Sequence, residues 1–328
     1  MKTIIDLFAG VGGLSQGFIE NGYKLIFAND NDRWAGETFR ENPGVLFSDE
    51  DITTLDEAKL HKVLLEPKLD VLVGGVPCQA FSMAGYRNRK NRAGLVDERV
   101  YLFRHFLRVA HQFKPKVIVI ENVKGLPSML GGSVLEEIIS SLRGSGYTVD
   151  WKILNAASYG APQLRERFVL LANNIGVANS FPTPYFDENS FKPVGPALEN
   201  VPNLNHEPRA LSGITLERVK LIQPGKNWQS LPENLKTKSQ HSGAYGRLDP
   251  NQPSRTLLTR FDSPPVGYVT HPYFDRALTV REGARIQGFE DNFRFMGPRM
   301  QQYKQVGNAV SPYLSRALAK EINLLLET

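Results

Sequence analysis

Cysteine is almost missing from this chain: its 328 residues hold one, Cys78. A lone thiol can form neither an intramolecular disulfide nor a multi-cysteine metal site, so no metal cofactor is expected. Long apolar runs are missing too. None approaches the roughly 18 residues that a membrane span requires. The opening Met1-Lys2-Thr3-Ile4-Ile5-Asp6 lacks a secretory pattern. With so little cysteine, a reducing, cytoplasmic setting with no membrane partner is expected. Charge of one sign is also scarce. Lys+Arg number 39 against 34 Asp+Glu, a net +5, with a sequence pI near 9.1. That balance fits a nucleic-acid partner without demanding one. There is no internal repeat and no low-complexity tract. A 41% hydrophobic content excludes a disordered chain. The length suits two domains, or one large α/β domain carrying an inserted smaller one.

The first half alternates β-like and helix-like stretches. Strands are expected at Thr3 to Phe8, Lys24 to Ala28, Val45 to Phe47, Leu69 to Val73, Val117 to Ile120, Thr148 to Leu154 and Arg167 to Ala172. Helices are expected at Leu14 to Asn21, Arg33 to Glu41, Asp56 to Leu65, Arg99 to Phe113 and Val134 to Leu142. The uninterrupted β-branched run Val117 to Ile120 suits a strand buried on both faces. This alternation predicts an α/β fold with a doubly wound, mostly parallel sheet. Near Asn173 the pattern changes. Six prolines between Pro182 and Pro208 mark a boundary into a different, irregular module. Helical periodicity returns at Thr279 to Ile286 and from Pro312 to Leu326.

Cys78 follows a strand, the turn Gly74-Gly75, and Pro77. A thiol on a rigid turn at a strand's end is placed to be a nucleophile. A small buried hydrophobe is the plainer alternative. Asp6-Leu7-Phe8-Ala9-Gly10-Val11-Gly12-Gly13 joins the first strand to the first helix, where glycines let a ligand approach the main chain. The next strand ends in Asn29-Asp30, where an acid can bond ribose hydroxyls. Asp51-Ile52 follows the short third strand, where an acid suits the exocyclic amine of adenine. Helix capping or a solvated loop would explain either acid alone, but together they favour a nucleoside cofactor.

Glu121-Asn122-Val123 closes the buried strand after Ile120, which in a doubly wound order brings a carboxyl to the sheet edge that carries Cys78. In Gln163-Leu164-Arg165-Glu166-Arg167, alternation predicts that the two arginines share one face and suit phosphate or carbonyl oxygens. A surface salt-bridge ladder is the alternative. The basic stretch Tyr86 to Gly94 could close on a polyanion or simply be a solvated loop.

In this order the segments resemble the cytosine-5 DNA methyltransferases. The likeness runs from Asp6-Leu7-Phe8-Ala9-Gly10 through Val76-Pro77-Cys78-Gln79, Glu121-Asn122-Val123 and Gln163-Leu164-Arg165-Glu166-Arg167. It continues in Arg276 to Phe289 and in Gln305-Val306-Gly307-Asn308-Ala309-Val310. It covers nearly the whole chain and implies a Rossmann-like methyltransferase domain at 1–173 plus 275–328, with a target-recognition domain at 174–274. By the same resemblance, Phe8, Gly10, Gly12, Asp30, Asp51, Ile52, Pro77, Asn308 and Val310 hold S-adenosylmethionine. Cys78 attacks ring carbon 6 of a flipped cytosine, and Glu121 holds ring nitrogen 3 and the amine. Arg165 binds the oxygen at ring position 2, and Arg167 supports the site. Ser82, Arg87, Arg89, Arg92, Arg99, Thr256 and Arg260 contact DNA, whereas 276–289 organises the recognition module. Arg255 is a further candidate for guanines or phosphates, and Tyr245, Arg247 and His241 are further candidates in the same module.

The expected partner is double-stranded DNA with a short specific sequence. A monomer is expected, with a cognate restriction endonuclease in the same restriction-modification system. The start of the chain close to its first strand favours a compact prokaryotic or phage enzyme. Four positions depart from the family pattern, Val76 and Gly283 only as minor substitutions. Asn31 stands where an aromatic or bulky apolar residue is common, so Phe8 is expected to carry more of the adenine packing. Glu50 stands where glycine is common. The competing functions are a transfer-RNA cytosine-5 methyltransferase, an NAD-dependent oxidoreductase and a catalytically dead repressor. The variable module of roughly a hundred residues favours a reader of duplex DNA.

Overall fold

The computed structural model describes residues 1–42, 46–55, 60, 69–77, 101–237 and 242–328. By internal contacts the chain divides into two units. The first comprises Met1–Leu154, Glu166–Thr183 and Ser315–Thr328; the second comprises Asn155–Arg165 and Pro184–Leu314.

The first unit is built outward from β1 (Thr3–Leu7), whose five residues are all buried. A strand with no exposed residue must sit inside a sheet covered on both faces. Parallel to it run β2 (Lys24–Asn29) on one side and β4 (Val71–Gly75) on the other, with β3 (Phe47–Ser48) beyond β2. Next to β4 lies β5 (Val117–Val123), also parallel. The sheet is completed by β6 (Thr148–Asn155) and β8 (Glu166–Asn173), β8 running antiparallel to β5. The seven-stranded order is β3-β2-β1-β4-β5-β8-β6. Order reverses between β1 and β4, and at such a switch point the carboxyl ends of the strands open a crevice for ligands.

Helices α1 (Gly13–Glu20), α2 (Arg33–Glu41), α3 (Leu102–Phe113) and α4 (Ser133–Gly144) follow the sequence periodicity. The buried stripe of α3, Phe103, Phe106, Leu107, Val109 and Ala110, joins Leu7, Leu72, Ile118 and Phe168 in one apolar core. Against α1 the chain returns in the last helix, α8 (Pro312–Leu325). A Cβ on Gly17 would lie 2.3 Å from the Arg316 main-chain nitrogen, so only glycine permits this approach. The Ser315 hydroxyl donates to the Leu14 carbonyl. The expected helix at Asp56 to Leu65 lies outside the described residues except for buried Leu60.

The second unit has little ladder. Its strands are β7 (Gln163–Leu164) paired with β10 (Ser254–Arg255), and β9 (Gly246–Arg247) paired with β11 (Tyr268–Thr270). Its helices are α5 (Gly213–Leu221), α6 (Val280–Gln287) and α7 (Arg299–Asn308). Helix α6 starts with a capping box between Thr279 and Glu282, which satisfies two otherwise orphaned N–H groups.

The family resemblance groups 275–314 with the first domain, whereas by internal contacts these residues fall in the second unit. The reason is side-chain fastening. The buried Arg281 guanidinium donates to the Leu204 and Glu290 carbonyls at 3.0 and 2.9 Å, and also to that of Phe293. The Arg276 guanidinium holds Glu282 at 2.8 and 2.7 Å. Among the described residues no helix is long and apolar enough to cross a membrane.

Candidate active site

In the first unit the turn after β1 is shaped by main-chain conformation. Phe8, Gly10 and Gly12 have φ of +56°, +55° and +85°. For Phe8 this is strained backbone, which costs about 1–3 kcal/mol unless its surroundings impose it. They do: Ala9 N–H donates to the Asn29 carbonyl at 3.0 Å, and Gly12 N–H to the Ala9 carbonyl at 2.8 Å. Gly10 N–H donates to Asp30 Oδ2 at 2.9 Å. Gly12 needs the missing Cβ as well, since one would meet the Phe39 ring at 2.9 Å. Below the turn, Asp6 is fully buried and receives the Ser15 hydroxyl. Burial pushes its carboxyl up to about 7; the Ser15 bond opposes this and nearby Asp30 adds to it.

The two other expected cofactor acids sit on neighbouring strand ends of the same unit. Asp30 Oδ1 accepts from Asp32 N–H at 2.9 Å, so both its oxygens brace main chain. Asp51 lies in the turn after β3. Its Oδ1 accepts the Thr53 N–H at 2.9 Å and the Thr53 hydroxyl at 2.7 Å. The Thr53 N–H, then its hydroxyl, hold the carboxyl below the usual range. Asn29, buried at the end of β2, spans to this turn by donating to the Ser48 and Glu50 carbonyls at 3.0 and 2.8 Å. Arg108 of α3 donates to the carbonyl of buried Ile52 at 3.0 Å. Carboxylates at neighbouring strand ends beside a positive-φ glycine turn suit a nucleoside with ribose hydroxyls and an exocyclic amine.

The reactive end of this unit is set by β4 and β5. Gly74 and Gly75 pair with Ile120 and Glu121. A Cβ on Gly74 would lie 2.8 Å from the Leu7 carbonyl and 2.7 Å from the Phe106 ring, so the strand end requires glycine. Asn122 is buried and its amide donates to the Val76 carbonyl at 3.0 Å, which fixes the segment entering Pro77. Cys78 comes next and lies outside the described residues, as do Ser82, Arg87, Arg89, Arg92 and Arg99. Glu121 is 7% exposed and pairs with Arg167 at 3.0 Å. Burial pulls the Arg167 guanidinium below its usual value, against the pull of Glu121. A carboxyl and a guanidinium held together out of water can present an acceptor and donors to a polar ring edge.

Arg165 and Arg167 fall in different pairings and units, although burial alternates through exposed Glu166 between them. The strand is interrupted there: β7 pairs with β10, and β8 with β5. Arg165 belongs to the second unit, is 1% exposed, and donates to the carbonyls of Leu257, Gly307 and Ala309 at 3.3, 3.0 and 2.8 Å. The last two flank Asn308, which is exposed at the end of α7, with Val310 buried beyond it. Arg165 therefore braces the expected cofactor segment of its own unit.

The DNA-reading candidates separate in the same way. Thr256 donates its hydroxyl to the Leu164 carbonyl at 2.7 Å. Arg260 pairs with Asp262 at 3.1 Å. Arg255 is exposed and lies over the Tyr268 ring at 4.2 Å. Tyr245 and Arg247 are 5% exposed each and do not form a reading surface, because Arg247 is consumed by carbonyls and the Tyr245 hydroxyl accepts from Arg218 at 3.0 Å. His241 lies outside the described residues. Sequence reasoning passed over Asp6, Asn29, Arg108 and the bracing role of Asn122. A polar residue at the end of an apolar strand, as at Asn29 and Asn122, was the available signal.

The family model described as C-5 cytosine-specific DNA methylase matches residues 2–324. The Type II methyltransferase M1.HphI of Haemophilus parahaemolyticus is 36% identical over 330 residues, which are 98% of this chain and 86% of that protein. The Type II methyltransferase M.NgoFVII of Neisseria gonorrhoeae is also 36% identical, over 97% of this chain and 86% of its own length. Among solved structures, a candidate DNA modification methyltransferase encoded within an Escherichia coli prophage superposes with a TM-score of 0.78. It is 25% identical and covers 100% of both chains.

Proposed function

We propose that this chain, which belongs to the C-5 cytosine-specific DNA methylase family and is a DNA (cytosine-5-)-methyltransferase, moves a methyl group from S-adenosylmethionine to carbon 5 of cytosine within a specific duplex DNA sequence. The observation that carries this reading is the buried Glu121–Arg167 pair, on a strand whose Asn122 anchors the segment leading to Cys78.

Ring carbon 5 of cytosine is a weak nucleophile. The Cys78 thiolate adds to carbon 6, breaking the ring double bond and placing electron density on carbon 5. A thiol of pKa about 8.5 is mostly protonated at neutral pH, so the site must favour the thiolate. Glu121 contacts ring nitrogen 3 and the exocyclic amine and stabilises a proton at that nitrogen. Arg167, fixed beside Glu121, takes the oxygen at ring position 2. Arg165 takes the bracing role, because its guanidinium is committed to three main-chain carbonyls. When bound, S-adenosylmethionine would supply an electrophilic methyl group to carbon 5, its sulfur keeping the bond electrons and leaving as S-adenosylhomocysteine. Phe8, Gly10, Gly12, Asp30, Asp51, Ile52, Pro77, Asn308 and Val310 would hold it. A base then removes the carbon-5 proton and the thiolate leaves, restoring the double bond. The base must leave the stack first, at a cost of a few kcal/mol that phosphate and pocket contacts offset. Ser82, Arg87, Arg89, Arg92, Arg99, Thr256 and Arg260 provide contacts to DNA.

The relatives named Type II methyltransferases support a restriction-modification role beside a cognate endonuclease, and support DNA over transfer RNA as substrate. Bisulfite sequencing of DNA from cells expressing the chain tests the proposal. Protected cytosines at one short recurring sequence are expected. Absence of protected sites, with methyl transfer to transfer RNA instead, would replace it.

A further inference from the structure

Asp51 is the exposed acid of the turn after β3, and each of its oxygens has a different set of neighbours. A carboxylate oxygen offers about two lone-pair positions. At Oδ1 both are taken, by the Thr53 N–H at 2.9 Å and the Thr53 hydroxyl at 2.7 Å. At Oδ2 one is taken, by the side-chain amide of Asn31 at 3.1 Å. Among the described residues, one acceptor position of Asp51 therefore remains. The turn that carries it is fixed from two directions: Asn29 holds the Ser48 and Glu50 carbonyls, and Arg108 holds that of Ile52. The surrounding hydrogen bonds keep the carboxyl ionised at neutral pH, so the remaining position accepts and cannot donate.

We propose that Asn31 is a specificity-determining residue for the cofactor's purine. By occupying one lone pair of Asp51 Oδ2, its amide directs the other toward a 6-amino group and against a 6-oxo group. The inference rests on the S-adenosylmethionine reading above and adds a role for the residue that replaces an aromatic. In this chain the purine is then selected at its edge, by a directed acceptor, where a stacked ring would grip its face. A site built around one buried or directed polar partner discriminates strongly against a ligand with the wrong hydrogen-bonding group.

The test is calorimetric binding of S-adenosylhomocysteine and of its 6-oxo counterpart, S-inosylhomocysteine, to the full chain and to Asn31→Ala. Both sides of the Asn31–Asp51 bond are exposed, so the variant should keep the wild-type melting temperature. Wild type is expected to prefer the adenine ligand by about 100-fold or more. Asn31→Ala should weaken that ligand about tenfold while leaving the inosine ligand unchanged, the scale of one hydrogen bond to a charged group. An unchanged preference in the variant would overturn the proposal, as would equal weakening of both ligands, which marks a merely structural role. If wild type binds neither ligand, the cofactor reading itself fails and this inference with it.

Discussion

The two units keep their main chains hydrogen-bonded by different means. The first relies on a seven-stranded ladder over an apolar core. Each strand satisfies the next, and the side chains are free to be Val, Ile, Leu and Phe. The second has strands of two or three residues. Its irregular backbone leaves carbonyls that no ladder reaches, and a buried carbonyl without a donor is costly. Buried arginines serve instead. Arg165, Arg247 and Arg281 each donate to three or more main-chain carbonyls. A guanidinium has five N–H donors in a fixed fork, so one side chain can do what several ladder bonds do elsewhere. A loop-rich module can thus be rigid without a sheet.

The sharpest way to break this comparison is Arg247→Met. Arg247 donates to the Val219, His271 and Phe274 carbonyls at 2.7, 3.0 and 3.0 Å and to Asp275 at 2.6 Å. Removing it strands those acceptors and should cost the second unit about 3–5 kcal/mol, as for a broken buried pair. Hydrogen exchange should show protection lost across 213–275 and kept in the ladder of the first unit. Uniform loss in both, or none, would mean the arginine is not the fastener.

The matching test of the first unit is steric. Gly17→Ala puts a Cβ against the main chain at Ser315 and Arg316. The helix-propensity gain of about 1 kcal/mol should be outweighed by overpacking of about 1–3 kcal/mol, a net loss read in urea unfolding. A stabilised variant would refute the close approach of α1 and α8.

Acidity should separate the units by sign. Asp6 in the first has its pKa raised by burial, with Asp30 adding, to about 7. The folded state then holds the proton more tightly than the unfolded one, so this group costs stability as pH rises from about 4 to about 7. Asp6→Asn should gain about 1–2 kcal/mol at pH 8 and lose about 1–3 kcal/mol near pH 4, because the cost of an unmet amide donor is present at both pH values and the linkage gain only at the higher. In the second unit His271 is pulled down to about 4 by burial, against Glu282. Its contribution runs the other way, with stability lost as pH falls from about 6.5 toward 4. Equal thermal-melt profiles for wild type and Asp6→Asn across pH 4–8 would remove the first half of this contrast.

The smallest effect sharpens the role of burial. Lys124 pairs with Glu166 at 2.6 Å, with both side chains well exposed. Lys124→Ala should change stability by less than about 0.5 kcal/mol. A loss comparable to that of Arg247→Met would mean that charge, and not the satisfaction of buried carbonyls, holds these segments.

The same contrast explains what could be read in advance. Strands β1, β4 and β5 are built on the apolar runs Ile4-Ile5, Val71-Leu72-Val73 and Val117 to Ile120 because both faces are covered, and the stripe of α3 repeats at helical spacing; such patterns are local. The glycine turn, Asp30, Asp51 and Glu121 stand at strand ends, where topology makes position informative. Arg165 was legible as a candidate, but its bracing contacts were not. Its partners at 257, 307 and 309 lie far along the chain, and nothing periodic records them. The packing of 275–314 with the second unit was hidden for the same reason: its helical pattern is local, whereas Arg281 reaches the distant Leu204 carbonyl.

The most direct measurement uses duplex DNA carrying the sequence mapped by bisulfite, with 5-fluorocytosine at the target. Fluorine cannot leave as a proton, so elimination stalls after addition and methyl transfer. In the presence of S-adenosylmethionine, mass spectrometry should find a covalent adduct on the peptide containing Cys78, and none in Cys78→Ser. No adduct, or one attached elsewhere, would contradict the account.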